Sequence, residues 1–348
     1  MSLDSLPSTM RAIGINKYGD LDAIEQLELP TPKPKPSELL VKVEYGGVNW
    51  IDSAFRSGII PAVFLSAPPP KALGAEAAGT IVALPTDEGV LSSEDYKARG
   101  FHVGGRVAVW CQGAFSEYIV APWTNAALIP NDISTRDAAA AMMQGMGFTA
   151  VTLISEAYNV QQGDHVLVHT VAGGMGLCLA QLIAARGATV IGTTSTPEKA
   201  EIAKAHGATH VILYKQEDVA KRVLELTDGK GVDAIFDAVG KDTFESDLKM
   251  IKKRGTIVGF GSMSGPIPPF DLRRFMEKNV KFTYTTAMIY GEDPKEALKW
   301  YNEVWRLVAN GTLKMRINEY PFTAEGVKAS QEDMTSRKSV GKLLIKVA

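Results

Sequence analysis

The chain has 348 residues, 45% of them hydrophobic and 22% charged, with a formal net charge of −2. That length implies about two domains, each with enough apolar material for its own core. The balanced charge gives no electrostatic case for nucleic-acid or membrane-surface binding, and two cysteines, Cys111 and Cys178, exclude a four-cysteine zinc site and fit a reducing compartment better than a disulfide. Residues 1–10 are polar and carry Asp4, with no apolar core of an export signal. No run of roughly 18 apolar residues exists to span a membrane, so the cytoplasm is the expected location.

Met10 to Asn16 reads as a first strand and Leu21 to Leu29 as a second. Pro30, Pro32, Pro34 and Pro36 follow within one short segment. Such a segment is an extended surface connection, because proline donates no backbone hydrogen bond. Leu39 to Tyr45 alternates apolar and polar, as a half-buried strand does. Gly46 to Asp52 turns into a short helix on which Asp52 and Arg56 stand four apart, the spacing of a structural ion pair. Pro61 to Pro70 is a second proline-rich loop, and Leu73 to Val82 leads into a strand. Thr86 to Gly100 is a polar surface excursion. Gly104 to Trp110 and Phe115 to Val120 return to strand. Short strands with Gly and Pro turns make residues 1–133 a β-rich domain.

Ser134 caps a helix running through Ala138 to Met143, and Val151 to Tyr158 continues helical. From Asp164 strands and helices alternate. The strands are Val166–His169, Thr189–Gly192, His210–Leu213, Ala234–Asp237, Thr256–Gly259 and Val280–Thr285. The helices between them are Leu177–Arg186, Pro197–His206, Val219–Thr227 and Thr243–Ile251. This rhythm predicts an α/β fold, a doubly wound, mostly parallel sheet over residues 134–285. After Gly291 come an amphipathic helix, Pro294 to Val308, and strand-like pieces at Thr312–Ile317 and Lys342–Val347. These match neither rhythm, so residues 286–348 are expected to rejoin the β-rich domain.

The chemistry-bearing stretch is His169-Thr170-Val171-Ala172-Gly173-Gly174-Met175-Gly176. It lies between the first strand of the alternating region and the next helix. There, small residues let backbone N–H groups approach a pyrophosphate at a helix N-terminus. Ala172, Gly173, Gly174, Met175 and Gly176 are the candidate contacts, although the leading glycine of G-x-G-x-x-G is missing. The second strand ends Gly192-Thr193-Thr194-Ser195 with no carboxylate to bond a ribose 2′-hydroxyl, and Lys199 follows one turn later. A hydroxyl and a cation suit a 2′-phosphate, which points to NADPH over NADH. Gly240 and the Phe260-Gly261-Ser262 turn end later strands, where doubly wound folds bind ligands.

With Gly47-Val48-Asn49-x-x-Asp52, the Ala172–Gly176 loop, Gly229-Lys230-Gly231-Val232-Asp233-x-x-Phe236-Asp237-x-Val239-Gly240 and Ser336-Arg337-Lys338-x-Val340-Gly341-Lys342 in hand, the chain resembles the zinc-free quinone oxidoreductases of zeta-crystallin type, in the medium-chain dehydrogenase/reductase superfamily. The resemblance covers nearly the whole length. It implies a GroES-like catalytic domain, a Rossmann domain, NADPH as cofactor, and homodimers that pair the last Rossmann strand. It places Lys199, Tyr214 and Arg337 on the adenosine phosphate and Thr149, in Gly147-Phe148-Thr149-Ala150, near the nicotinamide. Thr170 stands where the family usually has Ala, Met175 where it has Val, and Met146 where it often has Gln.

Zinc-dependent relatives carry a catalytic Cys and a Gly-His-Glu. Here those places resemble Asn49 and Gly74-Ala75-Glu76, so no metal is expected. Hydride delivery to an acceptor already electron-poor, a quinone or a conjugated enone, is what remains. Asn49 offers both ends of an amide to the nicotinamide ribose or a substrate carbonyl. Two tyrosines common in the family's substrate pocket resemble Ala54 and Ile60 here. The implied pocket is therefore wider and more apolar, lined by Asn49, Trp50, Ile60 and Trp110, and its acceptor takes protons from water. The alternatives are a 2-alkenal or enone reductase and, from another class, a cofactor-binding protein of crystallin or RNA-binding kind with little catalysis.

Overall fold

The computed structural model describes residues 6–59, 67–141, 146–336 and 338–348. These form two compact units. The first runs to Phe148 and takes in Tyr290–Asn310 and Met315–Ala348; the second is Thr149–Ile289 with Gly311–Lys314.

In the first unit β1 (Thr9–Ile15) and β2 (Ile24–Pro30) pair antiparallel, from Thr9 opposite Pro30 to Ile15 opposite Ile24. The proline segment then leads to β3 (Glu38–Val48), the hub of the larger sheet. Its alternation is physical: Leu39, Val41 and Val43 enter one buried cluster with Val107 and Val109, while Leu40 enters another with Met10 and Tyr118. β4 (Lys71–Ala72) pairs with β1. β5 (Glu76–Ala83) lies on β3, β6 (Arg106–Trp110) on β5, β7 (Tyr118–Pro122) on β3, and β8 (Ala126–Leu128) on β6. The polar excursion contains two short helices, Glu88–Ser92 and Glu94–Lys97.

The helix Thr135–Ala141 starts where Ser134 predicts, with the Ser134 Oγ accepting the Asp137 N–H at 3.0 Å. Its buried Ala138 to Ala141 pack on β3 and β5. It therefore belongs to the β-rich unit and does not open the second one, so the unit boundary lies later than residue 134.

The second unit carries β9 (His165–Val168), β10 (Thr189–Thr194), β11 (His210–Leu213), β12 (Val232–Asp237), β13 (Ile251–Gly259) and β14 (Lys281–Tyr284). The sheet order is β11-β10-β9-β12-β13-β14, with every neighbour parallel. This is the Rossmann arrangement, whose strand order reverses between β9 and β12; ligands bind beyond the carboxyl ends of the strands there. Leu167, Ile191, Ile212, Ile235 and Ile257 form its core. Helices Gly174–Ala185, Pro197–Ala205, Val219–Leu226 and Phe244–Met250 supply the crossovers.

The chain then returns to the first unit with Tyr290–Asn310 and Met315–Ala348. Helix Pro294–Ala309 leads to β15 (Ile317–Pro321), helix Ala324–Thr335 and β16 (Lys342–Lys346). β16 runs antiparallel to β3, Leu343 opposite Val48, and parallel to β15. Helix Ala324–Thr335 is absent from the sequence reading because its buried face is Gly326, Val327, Ser330 and Gln331, with little apolar periodicity. No helix among the described residues is long and apolar enough to cross a membrane.

Candidate functional site

In the Rossmann unit β9 delivers the chain to the predicted loop. Thr170 adopts φ +53°, unfavourable for a β-branched residue. It is held there because its N–H donates to Thr193 Oγ1 at 3.3 Å and its carbonyl accepts the Gly173 N–H at 2.8 Å. Gly173 caps the helix Gly174–Ala185. The first-turn N–H groups of Gly174, Met175 and Gly176 have no partner within that helix, so this end presents donors to an anion. A Cβ on Gly176 would lie 2.4 Å from the Thr170 carbonyl oxygen and 2.6 Å from the Val171 Cα. Gly176 therefore serves close approach of helix and turn.

Ser195 follows β10 and Tyr214 follows β11. Thr194 stands opposite Leu213, so these two residues leave neighbouring strands side by side. The Tyr214 N–H donates to the Thr194 carbonyl at 3.1 Å. Thr196 caps the helix Pro197–Ala205 by accepting the Lys199 N–H. Burial first and the Lys215 charge second hold the Lys199 ammonium below its ordinary pKa. Lys215 is a second cation that the sequence reading passed over, although it adjoins Tyr214. Arg337 lies outside the described residues.

Gly240 has φ +86°, which glycine tolerates, and a Cβ there would meet the Gly265 carbonyl at 2.9 Å. The Phe260 N–H donates to the Asp237 carbonyl, and the Met263 and Ser264 N–H groups to those of Ala238 and Val239. The turns after β12 and β13 are thus tied together. Ser262 bonds the Tyr284 phenol. Thr149 is buried, and its carbonyl accepts the Thr152 hydroxyl at 3.0 Å.

In the β-rich unit Asn49 caps the helix Trp50–Ser57. Its N–H donates to Asp52 Oδ2 at 2.7 Å. Asp52 does not pair with Arg56. Capping turns the carboxylate back over the first turn, while the guanidinium bonds Gln331 Oε1 and the Gly19 carbonyl. The cation near Asp52 is Lys342. At the start of β16 its side chain is fully buried, with Nζ 2.5 Å from Glu76 Oε1, 2.8 Å from Asn49 Oδ1 and 3.2 Å from the Val48 carbonyl. Gly47 makes this possible, since a Cβ there would sit 2.5 Å from Glu76 Oε1. The sequence carries little sign of this role: β16 has a lysine at each end, and only the one at its start is buried.

The lysine settles which end of the Asn49 amide is which. An ammonium only donates, so the oxygen faces Lys342. Nδ2 is left buried with no partner, a donor in need of an acceptor oxygen. Asp52 is fully buried with Oδ1 unpartnered, and its pKa is pushed up to about 7 by burial, against the opposing pull of the Asn49 N–H and of Lys342. Trp50 is 37% exposed and Trp110 packs against the Ile13–Phe115 cluster. Ile60 lies outside the described residues. A cavity lined by Phe55, Lys71, Leu73, Gly74 and Gln112 contains none of Asn49, Trp50 and Trp110. Cys111 and Cys178 are both buried as free thiols.

Residues 35–131 match the alcohol dehydrogenase GroES-like domain, and residues 174–303 match the zinc-binding dehydrogenase family. The donor set here does not suit zinc: Ala75 offers no ligand atom, and the Glu76 carboxylate already carries an ammonium. A quinone oxidoreductase of Pseudomonas aeruginosa is 35% identical over 331 residues, 94% of this chain and 97% of its own. A 2-haloacrylate reductase of a Burkholderia species is 35% identical over 257 residues, 73% of this chain and 74% of its own. The Escherichia coli quinone oxidoreductase solved with NADPH superposes with a TM-score of 0.87 at 30% identity, covering 97% of this chain and 99% of that one. Identity at this level over nearly the full length of both chains establishes kinship: the chain belongs to the quinone oxidoreductase family of the medium-chain dehydrogenase/reductase superfamily.

Proposed function

We propose that this enzyme reduces quinones with NADPH and without zinc. The observation that carries the reading is Lys342 seated on Glu76 and Asn49, which puts a fixed cation and a committed amide donor where zinc relatives build their metal site. The cofactor supplies a hydride, and the chain supplies grip and orientation. The Gly174–Gly176 N–H groups and the helix dipole take the pyrophosphate. Lys199, with Lys215, Ser195, Tyr214 and Arg337, takes the 2′-phosphate. Thr149, Gly240, Phe260 and Ser262 flank the rest. Asn49 Nδ2 donates to a ribose or carbonyl oxygen, and Trp50 and Ile60 border the acceptor. With Ala54 and Ile60 at the places of the family's tyrosines, no phenol is proposed as proton donor, and the reduced acceptor takes its proton from water.

A second reading, reduction of 2-alkenals or related enones, is favoured by the 2-haloacrylate reductase relative and by Ala54 and Ile60 in place of tyrosines. Side-by-side turnover of para-quinones, ortho-quinones and 2-alkenals with NADPH separates the two. Quinones should lead in kcat/KM, and a lead for 2-alkenals would replace the first reading with the second.

We also place a homodimer contact on β14. It is an edge strand, and Tyr284, Leu272, Met276 and Ile289 nearby are exposed. Light scattering should give twice the chain mass, and a monomer at micromolar concentration would remove the assignment. Two buried free thiols fit a cytoplasmic location.

A further inference from the structure

We infer that His169, Asp237 and Asp247 hold a shared proton inside the Rossmann unit, and that this proton sets the two turns receiving NADPH, making the three positioning residues for cofactor binding. The inference rests on the cofactor reading above.

The three lie at the switch point. His169 is the first residue beyond β9 and Asp237 the last of β12, the strand beside it. Asp247 reaches in from the helix Phe244–Met250. They are 4%, 2% and 0% exposed, and one ligand atom from each falls within 4.8 Å of the others. Most of those atoms are committed. His169 Nε2 is 2.8 Å from Asp247 Oδ1 and Nδ1 is 3.1 Å from Thr193 Oγ1. The Asp237 carboxylate accepts the Val239 N–H at 2.6 Å, the Gly240 N–H at 3.2 Å and the Thr243 hydroxyl at 2.9 Å. A proton suits such a packed set better than a metal ion, which would have to displace these bonds.

One atom is left over: Asp247 Oδ2, buried with no partner while both acids are ionised. Protonated, it donates to Asp237, and the orphan is satisfied. The charged groups acting on His169 are Asp247 and Asp237; those acting on Asp247 are His169 and Asp237. Thr193 and Thr243 are the uncharged groups facing the cluster from β10 and from the turn after β12. Burial pushes the Asp247 carboxyl up to about 6 against the pull of His169. The His169 ring, which burial lowers, is carried above its ordinary value by the Asp247 and Asp237 carboxylates. Ring and carboxyl therefore compete for one proton, and the orphaned Oδ2 favours the carboxyl.

Each end of the cluster governs a turn. A neutral His169 donates from Nε2 to Asp247 and accepts the Thr193 hydroxyl at Nδ1. That leaves Thr193 Oγ1 to accept the Thr170 N–H, which anchors the left-handed Thr170. A second ring proton reverses the Nδ1 bond and turns the Thr193 hydroxyl away. Asp237 holds Val239 and Gly240 in the other turn. Protonating Asp247 thus leaves both turns intact and removes one negative charge near an anionic ligand, so NADPH binding and proton uptake reinforce each other.

The test is the NADPH Kd, read by fluorescence from pH 5.5 to 8 for wild type, Asp247→Asn and His169→Gln. The amide introduced by Asp247→Asn offers the same donor at every pH without the charge. Asp247→Asn should therefore bind about fivefold or more tighter than wild type at pH 8, with the difference closing as both proteins are taken to pH 5.5. The ligand's own phosphate titration is common to both proteins and cancels in the comparison. Ring-nitrogen NMR of apo wild type should show His169 bare at Nδ1 at pH 8, with a titration step on lowering the pH that Asp247→Asn abolishes; this holds whether or not NADPH binds. His169→Gln, folded by circular dichroism, should bind more weakly throughout. Superimposable Kd–pH curves for folded variants and wild type, or an unchanged NMR titration in Asp247→Asn, would overturn the inference. Failure of wild type to bind NADPH would overturn the cofactor reading and the positioning role with it, with the NMR result still reporting on the proton.

Discussion

The two units each bury a charged cluster, and the clusters are built on different principles. In the β-rich unit the charge is fixed. Lys342 neutralises Glu76 and orients Asn49, and its geometry depends on packing: β16 beside β3, and Gly47 leaving room for the carboxylate. In the Rossmann unit two acids share one histidine, and the arrangement depends on where a proton sits. A fixed charge suits a group that must present one donor to a ligand atom in every turnover. A proton-dependent cluster suits turns that must accept and release an anionic cofactor. If the comparison is right, breaking the first should damage folding and acceptor use, and altering the second should change cofactor affinity and its pH dependence.

The largest effect is expected from Lys342→Met. It strands a buried Glu76, and removing one member of a buried ion pair costs about 3–5 kcal/mol. Chemical denaturation should show that loss, and Lys342→Met with Glu76→Gln should recover part of it. Full stability in the single variant would mean that the pair is not the anchor of this unit.

Asn49→Ala comes next. Losing a preorganised donor lowers kcat by about a hundredfold when that donor faces developing charge. Asn49→Asp should be at least as poor, because it places a second acid beside Glu76 and offers no donor. Stopped-flow with a para-quinone measures this; equal rates in wild type and Asn49→Ala would remove Asn49 from the site.

Lys199→Ala tests the other unit. It should weaken NADPH about tenfold, about 1.4 kcal/mol, and leave NADH unchanged. Equal weakening of both would mean that Lys199 does not read the 2′-phosphate.

A separate test concerns pH and Asp52. Its carboxyl binds a proton more tightly folded, near 7, than unfolded, near 3.8. The folded state therefore carries the extra proton between about pH 4 and 7, and stability from this group falls as pH rises through that window. Asp52→Asn should flatten that part of the stability profile. A variant profile parallel to wild type would show that Asp52 is not the titrating group.

The fold was legible because its signals are local. Apolar runs of strand length, the glycine turn after Val168 and Pro197 at a helix start each specify an element within a few residues. The parallel, doubly wound sheet follows from their alternation; its strand order comes from the structure. The sites were legible only in part. The turn proposed to bind phosphate, the missing acid after Thr194 and Lys199 all sit next to the elements that define them. Lys342 lies 293 positions from Asn49, and His169 lies 78 from Asp247. Strand pairing and a helix crossover bring those pairs together, and no local pattern encodes them. The same reason explains Asp52 and Arg56. Helical spacing put them on one face, but capping and Gln331, which is 275 positions from Arg56, claimed one partner each.

The most direct test of the account is turnover of a para-quinone with NADPH carrying deuterium at either the pro-R or the pro-S position of C4, with NADH run alongside. The account predicts quinone turnover, a primary isotope effect from one label only, and a kcat/KM for NADPH well above that for NADH. No turnover with any quinone, or equal kcat/KM for the two cofactors, would contradict it.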